Sequence, residues 1–337
     1  MRQDELAPLW DKLNGVIERT SRFAVASHIR PDGDAVGSSL ALVRILKRLG
    51  KDVWWVMDED PGAMFTPFYS PEELKINSKE KIDFSSREAI VIVDAGEWKR
   101  LGKLGAELAQ TPTEKICIDH HPPYHSFEGL SIVDDRASST TMLLRRFLRH
   151  LNKRLTLDIA EPIYLGLIVD TQNFHLNNTT EEAHAIAAEC LRLGVNPEKV
   201  HEPVFGTTRF SRLRLMSEAY RTIEVYMDGK VGSMYTTLSM FERANADWWE
   251  DDGFCDMVRT IEGVRIGIYL REEPEGKVKV SWRSRDGADI AVSARLFGGG
   301  GHARAAGARI KGSIEEVLQL VLDNIKERCR KGEIDWE

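Results

Sequence analysis

The sequence predicts an α/β protein in two parts, a domain built on a mostly parallel sheet followed by a smaller α+β domain. Three observations carry this. Residues 22–200 alternate short apolar runs with amphipathic stretches, the pattern of strands joined through helical crossovers. Beyond about residue 205 the texture changes to paired runs separated by DG and EG, dipeptides suited to tight turns between antiparallel strands. The length of 337 residues, 42% of them hydrophobic, suffices for two cores and excludes disorder as the main state.

The elements follow in order. The opening MRQDELAPLWDKLNG is charged and helix-like. No basic-then-apolar leader is present, and no run approaches the ~18 apolar residues of a membrane helix, so the expectation is a cytoplasmic protein without membrane contact. RFAVASH (22–28) reads as a buried strand, and DAVGSSLALVRILKRLG (34–50) as a helix closed by Gly50. VWWVM (53–57), AIVIVDAG (89–96) and KICIDHH (115–121) read as further strands. SSTTMLLRRFLRHLN (138–152) and TEEAHAIAAECLRLG (180–194) read as helices, the first opened by Ser/Thr and the second capped by Thr180 and Gly194. FSRLRLMSEAYRTI (210–223) predicts a linking helix. EVYMDGKVGSMYTTL (224–238) and RIGIYLREEPEGKVKVSWRS (265–284) predict hairpins, and SIEEVLQLVLDNIKERC (313–329) a closing helix. The expected division is 1–205, a linker helix over 206–223, and 224–337.

Charge and cysteines narrow the function. Lys plus Arg number 46 and Asp plus Glu 53, a net −7, which argues against gripping long duplex nucleic acid through a broad basic face. The four cysteines (Cys117, Cys190, Cys255, Cys329) form no CxxC pair, so neither a zinc ribbon nor a disulfide scaffold is expected.

In a doubly wound sheet, ligands bind beyond the carboxyl ends of the strands. The first strand runs into SHIRPDGDAVGSS (27–39), which places His28, Asp32 and Asp34 within seven residues on a loop stiffened by Pro31 and Gly33. VIVDAG puts Asp94 at a strand tip, ICIDHHPPY puts Asp119, His120 and His121 at another, and YLGLIVDTQNF (164–174) delivers Asp170 at the end of an apolar run. Four segments thus bring Asp or His to what should be one sheet edge, all at strand termini. Carboxylates so crowded repel one another unless cations sit among them. Asp and imidazole together suit Mn, and less exclusively Mg, Fe, Co or Zn. Asp32, Asp34, Asp94 and Asp170 at −1 each would be neutralised by two divalent ions. Taken singly, Asp34 reads equally as a helix N-cap and Asp94 as a turn former. His150, His184 and His201 read as surface or core residues, and His125 and His175 as bystanders near the motifs.

A second constellation lies near the end. Gly298, Gly299, Gly300 and Gly301 sit between a helix-like AVSARLF and a strand-like AAGARI and lead straight into His302 and Arg304. Composition alone favours a flexible loop. The setting also allows successive amides to converge on an anion, with His302 and Arg283 as charged donors. The Trp-rich NADWWEDDGF (245–254) fits core or interface packing, or a base-stacking platform.

These blocks resemble a known family. HxxPDGDAxGS at 28–38, VDAG at 93–96, DHH at 119–121 and VDT at 169–171 look like the motifs of DHH phosphoesterases. LFGGGGHARAAG (296–307) resembles the glycine-rich DHHA1 motif, and SWRSRDG (281–287) the substrate-binding strand before it. The match spans nearly the whole chain, in family order, and is most similar to the NrnA-type branch of oligoribonucleases and pAp phosphatases. It fits less well with the larger single-strand exonucleases, the membrane-attached cyclic dinucleotide enzymes, and the pyrophosphatases with a different C-terminal motif. The resemblance implies one metal on His28, Asp32 and Asp94 and a second on Asp34, Asp94, His120 and Asp170, with Asp94 bridging. It implies that Asp119 orients a histidine and that His121 faces the substrate phosphate as donor or general acid. Arg283, Ser284, the glycines 298–301 and His302 would bind substrate in the second domain. Arg30 stands where the family often carries Asn and would add a phosphate contact. The implied activity is metal-dependent hydrolysis of short single-stranded oligonucleotides, or of nucleotide bisphosphates such as pAp. The alternatives are a cyclic or linear dinucleotide phosphodiesterase and a silent nucleotide-binding module. A homodimer is the family expectation.

Overall fold

The structure is a computed structural model that describes residues 3–122, 127–285 and 288–334. The chain divides into two compact units, Met1–Thr207 and Thr208–Glu337.

The first unit contains α1 (Gln3–Arg19), β1 (Arg22–Ala26), α2 (Gly33–Arg48), β2 (Asp52–Met57), β3 (Leu74–Ile76), β4 (Ala89–Val93), α3 (Gly102–Gln110), β5 (Glu114–Asp119), β6 (Leu130–Val133), α4 (Thr140–His150), α5 (Leu157–Asp170), α6 (Glu181–Arg192) and α7 (Pro197–His201). The six strands pair in parallel in the order β3-β2-β1-β4-β5-β6. Alternate residues of one strand feed two cores. Phe23 and Val25 join a large core with α1, α2, α4, α5 and α6. Ala24 and Ala26 join a smaller one with Leu101, Leu104 and Leu108. Burial on both faces is why these strands read as unbroken apolar runs. The direction of winding reverses between the neighbouring strands β1 and β4, which opens a crevice beyond their carboxyl ends.

The second unit contains α8 (Phe210–Tyr220), β7 (Glu224–Tyr226), β8 (Val231–Thr236), α9 (Leu238–Ala244), α10 (Phe254–Arg259), β9 (Ile266–Glu273), β10 (Lys277–Ser284), α11 (Ile290–Leu296), β11 (Gly300–His302), β12 (Ala305–Lys311) and α12 (Ile314–Arg330). Its mixed sheet runs β11-β12-β10-β9-β8-β7, with only β8 and β9 parallel. α11 and α12 cover one face. α8, α9 and α10 cover the other, and α8, the helix expected to link the domains, buries Leu215 and Ala219 there against Met234, Phe254 and Tyr269.

The sequence reading misses β3, β6, α3, α7, α9, α10 and β11, which are short. It also treats the run ending at Asp170 as another strand terminus, whereas this segment is the 14-residue helix α5. α5 is apolar nearly all round because it is enclosed by other helices, and periodicity cannot separate such a helix from a buried strand. Among the described residues, no helix is long and apolar enough to cross a membrane.

Candidate metal centre

The site is assembled from the loop after β1, the first turn of α2, the ends of β4 and β5, the start of α4 and the end of α5. Ser27 donates its hydroxyl to the Val93 carbonyl at 2.8 Å and ties the first loop to β4. Asp32, not Asp34, is the N-cap of α2, and its Oδ1 accepts the amides of Asp34 and Ala35 at 3.0 Å each. That leaves Asp34 in the first turn, wholly buried. Gly33 is required by packing, because a Cβ there would lie 2.4 Å from the Val169 side chain. The same crowding brings α2 and α5 together lower down, where a Cβ on Gly37 would lie 2.4 Å from the Pro162 carbonyl. This close approach sets Asp170, the last residue of α5, beside Asp34 and His120.

Asp94 follows β4 directly. It sits in the left-handed region at φ +57°, a conformation Asp tolerates better than most residues, and its amide donates to the Ile118 carbonyl at 3.0 Å. Asp94 Oδ2 is buried with no hydrogen-bond donor among the described residues.

Two histidines meet these acids lone pair first. The Nδ1 of His28 faces the Ile29 carbonyl at 2.9 Å and that of His120 the Ala137 carbonyl at 3.3 Å. A carbonyl only accepts, so Nδ1 carries the proton in both, and Nε2 of the neutral ring presents a lone pair. His28 Nε2 lies 3.3 Å from Asp94 Oδ2. His120 Nε2 lies 3.0 Å from Asp170 Oδ2, 3.6 Å from Asp94 Oδ1 and 4.0 Å from Asp34 Oδ2. Lone pairs facing carboxylate oxygens require a cation between them, either a proton or a metal. Anchoring the other ring nitrogen on a carbonyl is how metal-ligating histidines are commonly oriented. Ligand atoms of His28, Asp32 and Asp94 lie within 4.8 Å of one another, as do those of Asp34, His120 and Asp170, and those of Asp94, His120 and His121.

Electrostatics tell the same story. Burial above all, then the charges of Asp34, Asp32 and Asp170, pushes the Asp94 carboxyl well above the usual carboxylate range. Burial and the charge of Asp34 do the same to Asp170, and burial also raises Asp34. Burial lowers His28. For His120, burial is outweighed by the hydrogen bond to Asp170 and the charges of Asp34 and Asp170, and its pKa rises to about 9. Asp119 differs. Burial would raise it, but the hydrogen bond from His121 and the charge of that ring hold it below its ordinary value. Its Oδ1 takes both the His121 amide at 3.1 Å and His121 Nδ1 at 2.8 Å, which leaves His121 Nε2 outward on a one-third-exposed ring.

The start of α4 is the part sequence reasoning overlooked. Asp34 accepts the Thr140 amide at Oδ2 (2.6 Å) and the Thr141 amide at Oδ1 (3.0 Å), and the Thr140 hydroxyl donates to Asp94 Oδ1 at 3.1 Å. The SSTT run marks a helix start, whose free amides favour an anion, and this was the available signal. The remaining histidines lie elsewhere. His150 pairs with Asp11, His184 stacks on Phe174, His201 meets Phe205 at a tilt, and His175 is exposed. Arg30 is exposed in the ligand loop with φ +50°. His125 lies outside the described residues.

In the second unit, Arg283 and His302 both register with Ala305, one on β10 and the other on β11, on opposite sides of β12. Directly paired residues share a face, so the Arg283 and His302 side chains flank a small residue at roughly 10 Å, two strand spacings. Arg283 also donates Nε–H to Asp256 at 3.2 Å. Ser284 is buried, its hydroxyl spent on the Ala288 (2.7 Å) and Ala303 (3.3 Å) carbonyls. The glycines divide their labour. The amides of Gly298 and Gly299 donate to the Arg295 and Ala294 carbonyls at the end of α11, so these two amides close a helix instead of converging on an anion. Gly300, Gly301 and His302 form the edge strand. Asp286 and Gly287 of the SWRSRDG block lie outside the described residues. Trp248, about 61% exposed, lines a cavity of about 1030 Å³ with Phe241 and Leu238. Each of that cavity's basic residues, Arg209, Arg271, Lys277 and Arg309, is already paired with a carboxylate, which disfavours a nucleic-acid platform there.

Comparison with known proteins agrees with the geometry. The DHH family, N-terminal domain matches residues 22–167, and the DHHA1 domain matches residues 234–331. The bifunctional oligoribonuclease and PAP phosphatase NrnA of Thermus thermophilus is 34% identical over 96% of this chain and 96% of its own length. The protein of the same name from Bacillus subtilis is 26% identical over 91% of this chain and 94% of its own. The crystal structure of an exopolyphosphatase-related protein from Bacteroides fragilis superposes with a TM-score of 0.85 at 26% identity, covering 95% of this chain and 96% of that one.

Proposed function

This chain belongs to the DHH family and carries its DHHA1 domain, and we propose that it is a metal-dependent phosphoesterase that hydrolyses oligoribonucleotides of a few residues to 5′-mononucleotides and dephosphorylates pAp to AMP. One observation carries the reading: buried Asp and His side chains converge with carboxylate oxygens and imidazole Nε2 atoms facing one another, Asp94 Oδ2 having no hydrogen-bond donor among the described residues, an arrangement that suits the binding of divalent cations. The substrate class rests on the full-length relationship to the Thermus enzyme.

In this reading His28, Asp32 and Asp94 hold one cation and Asp34, Asp94, His120 and Asp170 the other, with Mn the best match to a mixed Asp/imidazole set and Mg or Co as substitutes. Two such ions, when bound, lower the pKa of water and offset charge on the phosphoryl oxygens. Asp119 holds the Nδ1 proton of His121, so that in the doubly protonated ring Nε2 is the nitrogen that would give its proton to the departing ribose oxygen, leaving the neutral Nδ1–H ring. Within the second unit, Arg283 and His302 are the side chains proposed to bind phosphate. The four cysteines are not joined in disulfides, in keeping with work in the reducing cytoplasm.

The test is to strip the protein of metal, add back Mn, and offer pApA, pAp and cyclic di-AMP. The expected products are AMP from pApA and phosphate from pAp, both only with metal present. Faster turnover of cyclic di-AMP would move the assignment to a cyclic dinucleotide phosphodiesterase. Binding without turnover of any of the three would leave a nucleotide-binding module.

A further inference from the structure

We propose that Thr140 is a positioning residue that orients two of the metal-ligating carboxylates, Asp34 and Asp94, and so sets the affinity of the site for its cations; this rests on the metal-binding reading above. The first amides of a helix have no intrahelical carbonyl. In α4 the N-cap Ser139 satisfies one of them, accepting the Met142 amide at 3.1 Å. The amides of Thr140 and Thr141 go to the two oxygens of Asp34, and this two-point grip fixes the plane of that carboxylate. Thr140 then makes a second contact with its side chain. A hydroxyl has one proton to give, and Thr140 gives it to Asp94 Oδ1 at 3.1 Å. That choice fixes which Asp94 oxygen faces which way. Oδ1 turns toward His120 and His121, each at 3.6 Å. Oδ2 is left without a donor, 3.3 Å from His28 Nε2.

The neighbouring hydroxyls have no such reach. Ser138 donates to the Asn178 carbonyl at 2.6 Å, and Ser139 and Thr141 hydrogen-bond each other at 2.7 Å. Thr140 is fully buried, so water cannot substitute for its hydroxyl. A single side chain and its own amide therefore link a carboxylate of one ligand grouping to the carboxylate shared by both.

The test is the affinity of metal-stripped protein for Mn, measured by titrating free Mn by electron paramagnetic resonance. Thr140→Val keeps the shape and the amide but removes the hydroxyl. Its Mn affinity should fall about 10–100-fold, the usual cost of losing a group that orients a ligand, and Thr140→Ser should restore it to within a few-fold. If Thr140→Val does not fold, the pair Thr140→Ser and Thr140→Ala decides, since affinity must follow the hydroxyl and not the methyl. Wild-type affinity in Thr140→Val, or a loss in Thr140→Ser as large as in Thr140→Ala, overturns the proposal while leaving the metal site intact. A wild-type protein that binds no Mn overturns the metal reading itself, a result distinguishable from either.

Discussion

The two functional regions are built on opposite principles. At the switch point of the first unit, groups that dislike burial are buried without sufficient partners, as with Asp94 Oδ2 and His28 Nε2. At the glycine-rich end of the second unit, most polar groups are already satisfied. The amides of Gly298 and Gly299 close a helix, Ser284 bonds to backbone carbonyls, and Arg283 leans on Asp256. An unsatisfied buried charge costs several kcal/mol unless a ligand neutralises it, so the first region cannot be explained as architecture. Much of the second can. Function is therefore written most plainly where the fold is electrostatically incomplete, and conspicuous composition is a weaker guide than an unmet electrostatic need.

The largest effect expected from this contrast is at Asp94. Asp94→Ala should reduce turnover to below about one part in a thousand, because the carboxylate proposed to serve both cations would be gone. The metal-free variant should nevertheless be at least as stable as the metal-free wild type, since a buried, repelled carboxyl has been removed. Activity assays paired with thermal melts check both halves. Lower metal-free stability would mean that Asp94 supports the fold, and the contrast between the two regions would break.

The fold was legible where topology leaves marks. Short apolar runs ending in Asp or His gave β1, β4 and β5, and loops at the carboxyl ends of parallel strands are where such residues gather. Asp170 was found for the wrong local reason, because an enclosed helix such as α5 shows no amphipathic period. Thr140 was legible only as part of a helix start able to hold an anion, not as a partner of these acids. Its role depends on a helix start meeting Asp34, which is 106 residues away in the chain, and no local pattern encodes that meeting. In the glycine run the amides of Gly298 and Gly299 go to the end of α11, since amides that could cradle an anion are the same ones that can end a helix.

A medium effect concerns pH and metal together. The folded-state pKa values of Asp34, Asp94 and Asp170 are raised from 3.8. Their favourable contribution is complete below that value and is lost as pH rises through the raised values. His120, raised from 6.5 to about 9, adds stability that is full below 6.5 and is lost through about pH 9. His28, lowered from 6.5, works the other way and costs stability below that pH. The metal-free protein should therefore lose stability as pH rises from about 6.5 through about 9. Bound Mn should return more of it at the alkaline end, where protons no longer compete for the ligands. At Mn a hundredfold above Kd the gain is about 2.7 kcal/mol. Melting curves with and without Mn at pH 6 and pH 8 check this, and a larger gain at pH 6 would contradict the burial argument.

The smallest effect separates packing from binding inside the glycine run. A Cβ on Gly299 would sit 2.1 Å from the Gly307 carbonyl and 2.6 Å from the Ala308 Cβ, whereas a Cβ on Gly300 meets nothing within 4 Å. Gly299→Ala should therefore destabilise the protein by about 1–3 kcal/mol through overpacking against backbone that cannot move aside. Gly300→Ala should change stability by less than about 0.5 kcal/mol, as for an ordinary surface substitution. With folding unaffected, Gly300→Ala becomes the clean probe of binding. Gly300 lies on the exposed edge strand, two residues before His302, so a methyl there should raise KM for pApA and leave kcat unchanged. Unchanged KM and kcat would show that this stretch of the run serves only to end a sheet, and the division between an electrostatically incomplete first region and a structurally complete second one would then extend to Gly300.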